Sequence, residues 1–379
     1  MAKKGKRKSS AIQRGKFDIT FFAIVLILQT FGLVMLFSAS YAYSYEHYSN
    51  SYKFISRQFI FALVGIFLMF VISHIDYHLL KKIAWLFFIS VIFILVILLA
   101  MPPMVEGTTV KRWVVIGSFS FQPSELAKLA VIILFSALIS VNFKQVRDIK
   151  FIGFLIGLLF LTCILIGFEP HLSATILVFL IGIILLVIGG LPKRYIFGGI
   201  GFGVGGIILV VVTGLISYAG DRFKYWLDPW SDASGKGFQT IQSLLAIGSG
   251  GILGRGIGNS RQKYLWVPEP HNDFIFSIVC EELGLLGAVI IIILFCLLIW
   301  RGFYIAMHSP DKFGSLLVVG LTCQVGLQAM LNIWVVTNTI PNTGISLPFF
   351  SYGGTSLIIL LAEMGLVLSV SRSATIEKT

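Results

Sequence analysis

Long apolar runs alternate with short polar breaks along almost the whole chain. A helix needs about 20 apolar residues to cross a bilayer. Ten segments qualify: 17–40, 58–75, 82–101, 123–142, 150–168, 172–190, 194–216, 273–300, 313–337 and 353–371. The pattern predicts an all-α fold, a polytopic membrane helix bundle of about ten spans. One interval breaks the rhythm. Residues 217–272 form a long loop between the seventh and eighth spans, and loops of that length without obvious structure are uncommon and often functional. No internal repeat or heptad pattern is present.

Composition agrees. Of 379 residues, 57% are hydrophobic and 12% charged, with a mean hydropathy of +0.93. A soluble domain carries about twice that charged fraction, so no soluble domain is expected. The organisation is a basic cytoplasmic tail over 1–16, expected to be disordered, a single transmembrane domain over 17–372, and a second cytoplasmic tail over 373–379. The net charge of +12 raises nucleic acid as a partner, but its distribution argues against it. Lys3, Lys4, Lys6, Arg7, Lys8, Arg14 and Lys16 crowd the N-terminus, as in tails held against anionic lipid. Ser38-Ala39-Ser40-Tyr41-Ala42 faintly resembles a signal-peptide cleavage site. The run from Phe17 is too long for an h-region and many spans follow, so it reads as the first helix.

Lys and Arg set the orientation. With the N-terminus inside, Lys81, Lys82, Lys144, Arg147, Lys150, Lys193, Arg194, Arg301 and Lys312 fall on cytoplasmic loops, and Arg372 and Lys378 on the C-terminal tail. Short outer loops hold Lys53, Arg57, Lys111 and Arg112. This obeys the positive-inside rule and puts the long loop outside. Cys163, Cys280, Cys296 and Cys323 lie in apolar runs without a Cys-x-x-Cys pair, and read as buried thiols with no disulfide or metal framework.

Ionisable groups at a membrane boundary are costly, so they mark function. The long loop ends in a polar island, Val267-Pro268-Glu269-Pro270-His271-Asn272-Asp273. Two readings of Asp273 are open. It is an N-cap of the eighth span, or a general base on the outer face, of the kind that contributes about 10²–10⁴-fold to rate. Phe121-Gln122-Pro123-Ser124-Glu125-Leu126-Ala127-Lys128 opens the fourth span. Glu125 and Lys128, three apart, share a helix face and can pair. A Lys at that depth should face a polar cavity, meeting a phosphate or holding an acid in place.

Further candidates lie at the same level. Arg57-Gln58 opens the second span, where Arg57 either snorkels to headgroups or binds a diphosphate. Gly248-Ser249-Gly250-Gly251 and Gly254-Arg255-Gly256-Ile257-Gly258 look like a phosphate cradle. No Gly-Lys-Ser/Thr follows, and a flexible or close-packed loop is the simpler reading. Ser260-Arg261-Gln262-Lys263 puts two cations and two hydrogen-bonding side chains on the side of Asp273, and Arg222 adds a cation earlier in the loop. Glu169-Pro170-His171 breaks the chain between spans five and six, with a structural or substrate-contacting role for His171. Asn338 to Gly344 and Leu347 to Ser356, the latter containing Ser351, read as a fixed re-entrant outer loop that lines the same cavity.

These motifs resemble the SEDS family of bacterial cell-wall proteins, the FtsW/RodA/SpoVE group. The resemblance covers nearly the whole chain after the basic tail. It rests on Gly117 to Lys128, on Ser260-Arg261-Gln262-Lys263 and on Pro268 to Phe276. Glu281-Glu282-Leu283-Gly284 and Leu347 to Ser356 complete it. The resemblance implies a peptidoglycan glycosyltransferase that polymerises lipid II on the outer face of the plasma membrane. The 4-hydroxyl of a GlcNAc attacks C1 of a MurNAc, and undecaprenyl diphosphate leaves. The family's proposed catalytic Asp falls on Asp273, and its helix-four Glu and Lys on Glu125 and Lys128. Arg57, Lys128, Arg222, Arg261 and Lys263 are the cations nominated for the diphosphate. A divalent cation, Mg or Mn, could share that work.

Where the family usually has an Asp after Pro, this chain has His171. A second carboxylate is missing, and His171 could substitute as a hydrogen-bond donor. The resemblance also implies a class B penicillin-binding transpeptidase as partner, with other division or elongation proteins. Ser-Arg-Gln-Lys and the basic tail look more like division and sporulation members than the elongation member. A flippase for the lipid-linked precursor and an inactive scaffold are the competing functions.

Overall fold

The structure is a computed structural model that describes residues 15–101, 112–116, 119–143, 145–169, 171–192, 194–195, 224–264 and 266–374. The basic tail up to residue 14, the seventh expected span from residue 196 on, Arg222 and the chain's last five residues lie outside the described residues.

Three helices open the chain: α1 (Ile19–Tyr48), α2 (Lys53–His74) and α3 (His78–Ala100). A two-stranded antiparallel hairpin, β1 (Val114–Ile116) with β2 (Phe119–Phe121), leads into α4 (Pro123–Val141). Then come α5 (Ile149–Phe168) and α6 (Leu172–Ile188), followed by α7 (Phe238–Gly250), α8 (Ile275–Met307), α9 (Lys312–Val336) and α10 (Gly354–Ser371). Eight of these helices are long and apolar enough to span a membrane: α1 to α5 and α8 to α10. At 17 residues α6 is shorter than that. The expected all-helical polytopic architecture holds.

Burial sorts the helices into layers. In α4 and α9, 67% of the apolar window is buried, against 22% in α2 and 28% in α3. The motif-bearing fourth and ninth spans are therefore central, and α2 and α3 leave most of their surface exposed. Small residues permit close crossings at the periphery. Gly365 of α10 sits against the Met69 backbone of α2, and Gly65 of α2 against Leu361 of α10.

The long loop is not structureless. Phe238–Gly250 forms α7, and its last turn absorbs the Gly248-Ser249-Gly250 run expected to be loop. Close packing explains Gly250. A Cβ on Gly250 would sit 2.0 Å from the Cys280 carbonyl oxygen. Directly alongside, α8 breaks its helix at Gly284 (φ 67°, ψ −167°), a conformation that glycine adopts without steric cost. Backbone groups freed by the kink are taken up by the returning chain. Leu285 N donates to Gly251 O at 2.9 Å, and Gly256 N to Glu282 O at 2.9 Å. Irregular backbone near a membrane needs such partners.

Two other expectations change. Cys163 and Cys280 are buried as expected, but Cys296 is exposed on α8, because an apolar span offers a lipid-facing side as well as a core side. At 30 residues, α1 also runs well past the expected end near residue 40.

Candidate functional site

One cavity of about 310 Å³ gathers much of the chemistry. Its walls come from separate elements. The chain entering α8 contributes Glu269, Asn272 and Asp273, α4 contributes Glu125 and Lys128, and the turn before α6 contributes His171. Arg112 precedes the hairpin, and the 344–353 segment closes the cavity with Gly344 to Phe349 and Ser351 to Gly353.

Asp273 is not the helix cap. The N-cap of α8 is Phe274, which makes no side-chain capping bond. The Asp273 carboxylate lines the cavity instead, close to Gly344, where a Cβ would lie 3.2 Å from Oδ2. Its backbone is clamped, since Asn332 Nδ2 of α9 donates to Asp273 O at 2.7 Å and to Ile345 O at 2.6 Å. Ser351 ties the same two segments, donating Oγ to Asn272 O at 2.8 Å and accepting from Leu347 N at 2.8 Å. Tyr352 N donates to His271 O at 2.8 Å.

Lys128 is 1% exposed, so its charge must be matched within the protein. Glu125 Oε2 lies 2.8 Å from Nζ, which also donates to Gln328 Oε1 at 3.1 Å. Gln328 Nε2 in turn donates to Ser346 O at 3.1 Å. The expected pair is formed, and an amide on α9 links it to the loop opposite.

His171 is buried with Nδ1 3.2 Å from both Gln122 Nε2 and Ser124 Oγ. An amide nitrogen only donates, so Nδ1 accepts and the ring proton resides on Nε2. Burial, and then the charges of Arg112 and Lys128, push its pKa down to about 3. At neutral pH the ring is an uncharged hydrogen-bond donor. Its neighbour Glu169 is fully buried, and neither carboxylate oxygen has a hydrogen-bond partner. Burial raises its pKa to about 8, with Arg112 opposing. Glu169 is therefore mostly protonated at neutral pH and does not replace the missing acid.

The Ser-Arg-Gln-Lys motif is placed differently from expectation. Lys263 is 2% exposed and does not line the cavity. Its Nζ pairs with Glu282 Oε1 at 3.0 Å, and Ser38 Oγ of α1 donates to the same carboxylate at 2.6 Å. Ser260 Oγ donates to Glu281, as do the backbone nitrogens of Arg261 (2.9 Å) and Gln262 (3.3 Å). Two consecutive buried carboxylates thus recruit the motif to hold the loop on α8. Arg261 is exposed and away from the cavity.

Arg57 is also exposed outside it. Gln58 is buried as a brace, donating Nε2 to Ser351 O and accepting from Gly353 N, both at 3.3 Å. His271 is buried with its ring 4.3 Å from Phe54, and burial followed by the charge of His47 lowers its pKa to about 4.

Sequence reasoning missed Arg112 as a cavity residue and the amides Gln324, Gln328 and Asn332. The signal was present, because those three recur every four residues in an apolar run and so share one face of α9. Among the described residues no group of three or more His, Cys, Asp or Glu could hold a metal ion. Glu269 and Asp273 alone do not make a preformed cation site.

A family model described as cell cycle protein, covering FtsW, RodA and SpoVE, matches residues 18–376. Stage V sporulation protein E of Bacillus subtilis (strain 168) is 38% identical, covering 94% of this chain and 97% of that protein. The probable peptidoglycan glycosyltransferase FtsW of Geobacter sp. (strain M18) is 37% identical, covering 94% and 96%. Among solved structures, a chain from a peptidoglycan synthase complex superposes with a TM-score of 0.78 at 28% identity, over 94% of this chain and 98% of that one. The rod shape determining protein RodA of Thermus thermophilus superposes at 0.69 with 25% identity, over 95% and 98%. A multi-pass helical bundle with this cavity, matched over nearly its full length, places the chain in the FtsW/RodA/SpoVE family.

Proposed function

We propose that this protein is a peptidoglycan glycosyltransferase that polymerises lipid II on the outer face of the plasma membrane. One observation carries the reading. A single cavity joins Asp273 and Glu269 to Arg112 and to Lys128, the latter paired with Glu125. Glycosyl transfer from a diphosphate needs both. A base must take the proton of the attacking hydroxyl, and cations must meet the charge that develops on the leaving oxygen.

In this reading Asp273 accepts the proton from the 4-hydroxyl of the acceptor GlcNAc. The hydroxyl oxygen bonds to C1 of the donor MurNAc, and the C1–oxygen bond to undecaprenyl diphosphate breaks. Lys128 and Arg112 stabilise the departing diphosphate, and the Nε2–H of His171 supplies a neutral hydrogen bond on the same side. Replacing an Asp by this donor removes a negative charge from the diphosphate wall. The complex-forming relative and the family resemblance support a class B penicillin-binding transpeptidase as partner. Full-length similarity to both sporulation and FtsW relatives fits a role in division or sporulation, and division is our preferred assignment.

Polymerisation of labelled lipid II by the purified protein, with and without its cognate transpeptidase, tests the reading beside Asp273→Asn. We expect glycan strands from the wild type and a loss of about 10²-fold or more in the variant. Equal rates from both proteins would remove Asp273 as the base. No strands under any partner or metal condition would overturn the enzyme reading.

A further inference from the structure

The first helix is longer than a bilayer requires. Its 30 residues reach about 45 Å at 1.5 Å per residue, against a hydrocarbon core of about 30 Å. The outer end carries an aromatic run, Tyr41, Tyr43, Tyr45, His47 and Tyr48, that the cavity chemistry above does not use. Helical spacing divides it. Tyr41, Tyr45 and Tyr48 are exposed. Tyr43 and His47, four apart, stack with ring centroids 4.1 Å apart and planes 20° from parallel.

This tier is continuous with the mouth of the cavity. The Tyr43 ring lies 4.8 Å from His271, and Phe54 lies 4.8 Å from Tyr352. Tyr352 and Glu269 both line the cavity, and the Glu269 carboxylate acts electrostatically on the Tyr43 hydroxyl. Glu269 also accepts from Asn272 Nδ2 at 2.9 Å. Water reaches this end of the helix, since Glu46 and Glu269 are exposed and the Lys53 ammonium sits 3.0 Å over the Tyr48 ring. Charges so placed disfavour an acyl chain as occupant.

Aromatic faces beside a carboxylate and an amide match the chemistry of a pyranose. Its C–H faces pack on rings, and its hydroxyl and acetamido groups bond to the polar atoms. We infer that His47 and Tyr48, backed by Tyr43, form a saccharide-binding rim that holds a strand of N-acetylhexosamine units at the edge of the cavity. The identity of the ligand rests on the polymerase reading. The rim itself does not, and it can be tested alone.

Two measurements on the full-length protein separate the cases. The first titrates chitotetraose, which carries neither lipid nor diphosphate, and reads saturation transfer by NMR. Transfer to the wild type, lost in a His47→Ala/Tyr48→Ala variant and kept in His47→Trp/Tyr48→Phe, is the expected result. The second measures strand length from labelled lipid II. The alanine variant should shorten the mean strand at least severalfold, and the ring-preserving variant should restore it. Equal saccharide binding by the alanine variant and the wild type, or no binding by either, overturns the rim even if polymerisation is observed. Binding that follows the rings, with no polymerisation by the wild type under any partner or metal condition, keeps the rim and rejects the polymerase.

Discussion

Asn332 holds Asp273 by its backbone and leaves the carboxylate to the cavity. Its Nδ2 donates to Asp273 O at 2.7 Å and to Ile345 O at 2.6 Å, so one amide fixes the spacing between the α8 entry and the loop that faces it. Asn332→Ala leaves two carbonyls short of a donor, at about 1–3 kcal/mol each. Asn332→Asp fails in the same way, because an ionised carboxylate cannot donate. Both variants should melt several degrees lower and lose at least tenfold in polymerisation rate, since displacements of about 1 Å can cost about 10²-fold. A full rate in Asn332→Asp would show that Asp273 is positioned by other contacts.

The Lys263–Glu282 pair makes a separable prediction. Both side chains are almost fully buried, so Lys263→Ala strands a carboxylate in the core and should cost about 3–5 kcal/mol. Lys263→Met with Glu282→Gln removes both charges and should recover most of that loss. Fluorescence-detected thermal unfolding reads both. A phosphate-binding Lys263 would behave differently, with unchanged melting and a raised KM for lipid II.

Exposed cations outside the cavity provide the contrast. Arg57 and Arg261 lie outside the cavity, so their alanine variants should shift stability by less than about 0.5 kcal/mol and keep rates near wild type. Lys128→Met removes the buried cation and leaves Glu125 without its partner. Its rate should fall by about 10²–10³-fold, the usual effect of losing one group that stabilises transition-state charge. Equal losses across all three positions would place the diphosphate outside this cavity.

What the sequence made legible was chemistry tied to local pattern. Glu125 and Lys128 are three apart on one helix, and their pairing follows from geometry alone. The non-helical 337–353 segment was legible because its prolines and glycines cannot continue a helix. The fate of Ser-Arg-Gln-Lys was not, because it depends on carboxylates about twenty residues away on α8 and on a serine of α1. A basic motif reads alike whether it faces a phosphate or a buried acid. Likewise no local pattern marks Gly284 as the point where α8 breaks with φ at 67°.

The contact between α1 and the 344–353 segment yields a steric prediction. A Cβ on Gly32 would lie 2.1 Å from the Phe349 carbonyl oxygen, and Phe349 already has φ 68°, a conformation costly for a bulky residue. Gly32→Ala must therefore push the loop or the helix. The variant should insert normally but lose polymerisation, because Ser346 and Ser351 move with Phe349. Hydrogen exchange should rise selectively over the 344–353 backbone. Unchanged protection there would mean that α1 yields instead.

Glu169 and His171 give stability opposite pH dependences. Glu169 keeps its proton in the folded protein up to about pH 8, but releases it near 4.5 when unfolded. Between those values the folded state binds the extra proton, so stability is full below 4.5 and falls as pH rises toward 8. His171 stays neutral down to about pH 3 when folded, while its unfolded ring protonates below 6.5. Here the unfolded state binds the extra proton, so stability is full above 6.5 and falls as pH drops toward 3. His271 adds to that acid-side loss, from 6.5 toward about 4. Each group contributes a slope of up to about 1.4 kcal/mol per pH unit. Glu169→Gln removes only the alkaline-side loss. Its melting temperature should pull ahead of wild type as pH climbs from 4.5 to 8, with the acid limb unchanged. Parallel curves would mean that Glu169 is ionised in the fold and held by a cation.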